Sequence, residues 1–207
     1  MVSVSYCITV HNEGSVYLEP LFEKLFKHIK PEDEIVVVDD MSDEESTIRT
    51  ISKYEDRINY YKRKFTNDFA EHKNFAKSKC TKEYIFFIDA DENIHDTLLL
   101  VLKEVLFNNP KVDMYLVPRI NVVAGLTEEH KRKWGWVTNE KGWVMFPDYQ
   151  TRIIKNVDYI NWAGKVHERL EGHTSHTAFP HETEDYCLLH IKSIARQEAQ
   201  NSLYNSL

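Results

Sequence analysis

The sequence predicts an α/β fold with a mostly parallel central sheet flanked by helices, and three observations predict it. Short β-branched and aromatic runs alternate with helix-length amphipathic stretches through the first 120 residues. One of these runs, Ile35-Val36-Val37-Val38, is apolar without interruption, the pattern of a strand buried on both faces. Two apolar runs end on acidic pairs, Asp39-Asp40 and Asp89-x-Asp91, at the edge where an open parallel sheet presents its ligand site.

The elements follow in order. Residues 2–10 are strand-like. Leu18, Leu21, Phe22, Leu25, Phe26 and Ile29 then recur at helical spacing and give one apolar face, with Pro31 as the stop. After the strand at 35–38 come a helix over 43–53 and a short strand over 58–61. A helix over 69–80 leads into a strand over 84–88. Leu98, Val101, Leu102, Val105 and Leu106 mark another helix, with Asp96 as its N-cap, and a strand over 112–117 closes the series. Past Arg119 the character changes. Residues 124–148 hold three tryptophans, three glycines and a basic run without a period, which predicts a long functional loop. Strand-like pieces at 150–155, 166–170 and 185–190 precede a weakly periodic helix from about 191 to 204. Residues 1–120 and 121–207 are read as two halves of a single domain.

Composition bounds the function. The 207 residues are 42% hydrophobic and 29% charged, enough apolar content for one real core. The net charge of −7 argues against a generic nucleic-acid binder. Cys7, Cys80 and Cys187 fit neither a metal spacing nor a disulfide framework, which suits free thiols in a reducing compartment. The N-terminus shows no export pattern and no run approaches the ~20 apolar residues of a membrane span, so a cytoplasmic location is expected.

The stretch EYIFFIDADE (residues 83–92) poses the chemical question. Residues i and i+2 of an extended chain point the same way, so Asp89 and Asp91 can face one ligand. Carboxylates this close repel unless a cation lies between them. Hard oxygen ligands suit Mg²⁺ or Mn²⁺, which would also hold phosphates. The bland alternative is that these aspartates cap turns and helices; two acidic tips on one rim favour the site.

Four segments in order, Thr9-x-x-Asn12-Glu13, VVVDDMSDEES, NDFAEHKNFA and FFIDADE, resemble the family 2 glycosyltransferases with the GT-A fold over roughly residues 1–120. PDYQTRIIKN, GKVHERL and LLHIKS resemble the acceptor half of small bacterial and phage members, including the lipopolysaccharide-core type. The resemblance implies a sugar-nucleotide donor, usually a UDP-sugar, and Mn²⁺ or Mg²⁺. Carried over, Thr9 and Val10 line the base pocket, with Asn12 and Glu13 at its edge and Asp39 and Asp40 on uracil or ribose. Lys73 approaches the nucleotide or its phosphates; Asp89, with Ala90 beside it, touches ribose or metal. Asp91 and His190 ligate the metal, Lys192 lies near the diphosphate, and Glu168 is the base that deprotonates the acceptor. One carboxylate facing an incoming hydroxyl implies inversion.

Other residues keep two readings. His190 follows an apolar strand and is either a ligand or a buried structural histidine. His167 either orients Glu168 on the acceptor side or sits in the core; His173, His176 and His181 read as exposed loop residues. In HKRKWGW, Trp134 and Trp136 either stack on acceptor rings beside phosphate-binding cations or fold onto the core. Asp148, Gln150 and Arg152 are acceptor contacts or polar strand-face residues, the former preferred. The acceptor is a glycan more readily than nucleic acid, although a hydroxymethylated DNA base fits a phage setting. A nucleotidyltransferase would want a glycine-rich phosphate loop, and Gly14 is the sole glycine before residue 125. A non-catalytic nucleotide-sugar binder or an acidic interaction module are the remaining alternatives.

Overall fold

The structure, a computed structural model, describes residues 2–204. The elements run β1 (Val4–Val10), α1 (Ser15–His28), β2 (Glu34–Asp39), α2 (Glu45–Lys53), β3 (Asn59–Lys62), α3 (Phe69–Lys79), β4 (Tyr84–Asp89), β5 (Glu92–Ile94) and α4 (Asp96–Asn108). They continue with β6 (Met114–Ala124), α5 (Glu128–Trp134), β7 (Val144–Lys155), β8 (Asn161–Ala163), β9 (Arg169–Glu171), β10 (His176–Ala178), β11 (Leu188–Ser193) and α6 (Ile194–Tyr204). One sheet has the order β3-β2-β1-β4-β7-β6-β11-β5, with β10 added to β6; β8 and β9 form a separate hairpin.

The first half is the parallel unit that the sequence pattern predicts. β3, β2, β1 and β4 pair in parallel. Strand alternation sorts their side chains into two cores. Tyr6, Ile8, Ile35, Val37, Phe86 and Ile88 pack toward α1, α2 and α4, while Cys7, Val36, Val38, Ile85 and Phe87 pack toward α3 and the β8–β9 hairpin. β7 then enters antiparallel to both β4 and β6, and β11 returns parallel to β6. The result is a Rossmann-like parallel sheet joined to a smaller mixed half, the arrangement that the GT-A resemblance implies.

Several boundaries differ from expectation for local reasons. α1 ends at His28 because Ile29 is already extended, short of Pro31. His95, not Asp96, caps α4; its ring accepts from the Thr97 N–H. The expected loop over 124–148 contains α5, set by a capping box between Thr127 and His130 and stopped by Gly135 in the left-handed region. Capping, not hydrophobic period, made that helix. The 112–117 and 150–155 strands are the inner parts of the long β6–β7 pair. The strand expected at 166–170 is Arg169–Glu171, closed by Gly172. A Cβ there would lie 1.8 Å from the Tyr159 carbonyl oxygen, so only glycine fits. The expected 185–190 strand is a tight helical turn at Glu184–Tyr186 followed by β11, which delays α6 to Ile194.

Candidate active site at the carboxyl rim

Register fixes where the acidic tips meet. Val10 lies opposite Asp39, and Thr9 opposite Asp89, so the carboxyl ends of β2, β1 and β4 share one rim. Asn121 of β6 lies opposite His190 of β11, and Asp148 of β7 opposite Arg119. The long antiparallel pair thus carries second-half residues to the same edge.

Where β2 ends beside β1, the two neighbouring aspartates divide. Asp39 is buried and both its oxygens are taken, by the Ser42 N–H at 2.9 Å and the Tyr60 hydroxyl at 2.7 Å. Asp40 accepts from the Phe65 N–H at 2.6 Å and lies 3.5 Å from His11, with its side chain 22% exposed. Asp40 is therefore the member of the pair open to a ligand. Asn12 stands in the left-handed region and its amide ties the β1 loop to Asp43 and Glu44. Val10 and Ala90 are buried, so backbone is what they offer.

Just past the end of β4, Asp91 Oδ2 lies 3.2 Å from His190 Nε2 and 3.2 Å from Arg196 Nη2. Arg196 also reaches Glu13 at 3.4 Å. Burial opposes ionisation of Asp91, but His190 and Arg196 outweigh it and hold its carboxyl below the ordinary range. Burial raises the Glu13 carboxyl, against the His11 N–H and Arg196, which lower it. Lys192 is buried and donates to Gln200 at 2.8 Å; burial pulls its ammonium down to about 8, Asp91 opposing.

Beneath these lies a charged lattice. Arg152 is buried and bonds both Asp89 and Glu92 through Nη2. Arg119 donates to Glu92 at 3.0 Å and, through Nε and Nη2, to Asp148 at 2.9 and 2.8 Å. Burial disfavours charge on Asp89, yet Arg152, Lys73 and Arg119 together hold it well below the usual carboxylate range. The expectation that Arg152 meets the acceptor therefore gives way: its guanidinium supports Asp89 from below. Asp148 and Gln150 bond each other at 2.6 Å within this lattice.

On the remaining side, Lys73 of α3 pairs with Glu168, and its ammonium sits 4.5 Å from the Trp162 ring centroid. The adjacent His167 adopts a left-handed backbone at φ 56°, just before β9. Trp134 stacks on His130 with centroids 5.2 Å apart and touches Trp136 at 4.9 Å. His130 faces Glu198 of α6 at 3.7 Å, so the tryptophans border the helix that carries Arg196.

Glu92, Arg119, Asn121 and Arg196 escaped sequence reasoning. Glu92 had a signal, as the third acid of DADE; Asn121 interrupts an apolar strand; Arg119 and Arg196 had none. Among the described residues, no group of three or more His, Cys, Asp or Glu side chains is gathered for a metal, and no helix is long and apolar enough to cross a membrane.

Comparison with known proteins identifies the family and the fold. The family described as Glycosyl transferase family 2 matches residues 5–168, and the chain belongs to it. No curated protein matches. Among solved structures, residues 1–349 of TarS from S. aureus share 18% identity and a TM-score of 0.59, over 88% of this chain and 59% of that one. The same protein in complex with UDP-GlcNAc gives 0.63 at 18% identity, over 93% and 59%, and with UDP 0.52 at 20%, over 75% and 47%. The chain thus spans about 59% of the length of those first two structures, and the likeness is one of fold.

Proposed function

We propose that this member of glycosyl transferase family 2 moves a sugar from a UDP-sugar to an acceptor hydroxyl, with inversion, using Mn²⁺ or Mg²⁺. The observation that carries the reading is the approach of Asp91 Oδ2 and His190 Nε2 to 3.2 Å on the rim that also presents Asp40 and Asp89. Two ligands at about 2.1 Å from an octahedral ion stand about 3 Å apart, so this spacing fits. Mg²⁺-type sites commonly take one or two protein ligands and fill the rest with phosphate and water. The TarS structures that hold UDP and UDP-GlcNAc on this fold support the donor class.

Within that reading, Thr9, Val10, Asn12 and Asp40 border the base and ribose, and Asp89, braced by Arg152, faces the ribose or cation. A bound divalent ion supplies charge neutralisation of the leaving diphosphate. Lys192 and Arg196 add positive charge on the same side. Glu168 takes the proton from the acceptor hydroxyl. Its partner Lys73 also faces Asp89, so incoming phosphates compete for that ammonium and free the carboxylate. Asp89 is a poor nucleophile while Arg152 holds it, which favours a single displacement over a covalent intermediate. Trp134, Trp136 and His167 border the acceptor, a glycan before a modified DNA base. The three buried free cysteines support a reducing, cytoplasmic setting.

The test is a thermal-shift panel of nucleotide sugars with and without Mn²⁺. One UDP-sugar should stabilise the protein only with metal, in proportion to its occupancy. Stabilisation by every nucleotide alike, or none, overturns the donor assignment.

A further inference from the structure

We propose that His72 of α3 is a specificity-determining residue: its imidazole joins Asp40 and the Phe65 ring in a seat that reads the hydrogen-bonding edge of the donor's base and selects uracil over cytosine. The inference rests on the UDP-sugar reading above and adds the residue that discriminates between bases.

Chain direction places His72 at the rim. α3 leads from the carboxyl end of β3 back to the start of β4, so its first turn lies at the carboxyl ends of the strands. Ala76 packs among Cys7, Val36 and Val38 on the sheet face. His72 is one turn earlier on the same side of the helix, and it is only 8% exposed. Phe65 links it to Asp40. The Phe65 N–H donates to Asp40 Oδ1 at 2.6 Å, and the Phe65 ring stands edge-on to His72 with centroids 5.8 Å apart. Phe69 backs Phe65 at 4.7 Å.

The imidazole is not explained by packing. Its Nδ1 is buried and has no hydrogen-bond partner among the described residues. An unpaired buried nitrogen destabilises a fold, and an apolar side chain would fill this place without that penalty. Burial pushes the His72 pKa down, with the nearby Asp40 charge opposing. The ring is therefore neutral near pH 7 and carries one N–H and one lone pair. Asp40 beside it offers only acceptors. Uracil presents an imide N–H flanked by carbonyl oxygens, so Asp40 takes the N–H while His72 donates to the adjoining carbonyl. Cytosine carries a lone pair at that ring nitrogen, which the Asp40 carboxylate repels. The half-buried Phe65 ring supplies a flat apolar surface for a base to lie against.

The experiment is calorimetric titration of the full chain with UDP, CDP and N3-methyl-UDP at saturating Mn²⁺, beside melting curves without nucleotide. The wild type should bind UDP at least about tenfold more tightly than the other two. His72→Leu should weaken UDP about tenfold and narrow the gap between UDP and CDP, while its melting midpoint holds or rises because the unpaired nitrogen is gone. His72→Gln keeps a donor and an acceptor; it should retain most of the wild-type preference, and it carries the test if the leucine variant fails to fold. Wild-type UDP binding with no preference over CDP or N3-methyl-UDP overturns the seat but leaves the donor reading standing. Unchanged UDP affinity and UDP-to-CDP ratio in the variants make His72 a packing residue and overturn its role alone. A wild type that binds none of the three nucleotides overturns the UDP-sugar reading and this inference together.

Discussion

The sheet carries carboxylates at both ends and uses them in opposite ways. At the amino ends, Asp33 accepts the Val4 and Lys30 N–H groups at 3.0 and 2.8 Å, and Glu34 accepts the Ser5 hydroxyl and Thr81 N–H, each at 2.6 Å. Asp113 accepts the Thr174 N–H at 2.9 Å and its hydroxyl at 2.8 Å, with Lys155 at 3.1 Å. These acids tie loops to strand ends mainly through backbone N–H groups, with Lys103 beside Asp33 and Lys155 beside Asp113 as added partners. At the carboxyl rim, Asp39 and Asp40 still hold backbone N–H groups, but Asp89, Asp91 and Glu168 face the cationic side chains of Arg152, Arg196 and Lys73. A side-chain cation can yield to a ligand without disturbing the chain path, whereas a backbone tie cannot. The difference separates acids held for exchange from acids held for architecture.

The comparison breaks first at Asp91. Asp91→Ala should reduce transfer by at least about 10³-fold, about 4 kcal/mol of lost stabilisation of the leaving group. It should also remove metal-dependent UDP binding, while the melting midpoint moves by less than the equivalent of about 1 kcal/mol. Assays beside a melting curve decide it. Full activity would sink the site, and collapse of the fold would put Asp91 in the architectural class.

Glu168→Gln comes next. Loss of a positioned base costs about 10²–10⁴-fold in turnover. Donor affinity should hold or improve, since Lys73 loses its competing carboxylate. Unimpaired turnover would transfer the role of base elsewhere and leave Glu168 as a Lys73 anchor.

The opposite end should answer in stability alone. Asp113→Ala leaves the Thr174 N–H and Lys155 without their acceptor and should cost about 2 kcal/mol, with kcat/KM unchanged. The pH dependence has a definite sign. The Thr174 N–H, its hydroxyl and Lys155, against burial, hold the folded Asp113 carboxyl well below its ordinary value. Its contribution is present above the unfolded pKa of about 3.9 and is lost as pH falls toward the folded one. Urea melts of the wild type should weaken below pH 4, and the variant should show a shallower decline there.

Legibility in the sequence follows the same division. The parallel half was readable because Ile35–Val38 and Tyr84–Ile88 are local apolar runs whose acidic ends name the rim. The lattice under the rim was not, because Arg119, Arg152 and Asp148 meet through β6–β7 register, a long-range property that no spacing encodes. Arg152 looked like an acceptor contact for that reason: the sequence shows a charge on a strand but not which face is buried. Lys73 and Glu168 were each placed near donor and acceptor, 95 residues apart, with no hint that they pair. α5 was missed because its signals are a cap and a terminal glycine around a seven-residue helix, too short for a period.

The smallest effect tests whether the aromatic corner belongs with the rim or with the architecture. Trp136 is half-buried, packed on Trp134, which in turn stacks on His130 beside α6. If its face receives the acceptor, Trp136→Ala should raise the acceptor KM about fivefold, the equivalent of about 1 kcal/mol of ring contact. Donor hydrolysis without acceptor should continue at the wild-type rate, because Asp91, His190 and Lys73 are untouched. A parallel drop in hydrolysis and transfer would mean that the ring holds α6, and with it Arg196, in place. The ratio of the two rates, measured with one UDP-sugar at saturating Mn²⁺, separates these outcomes.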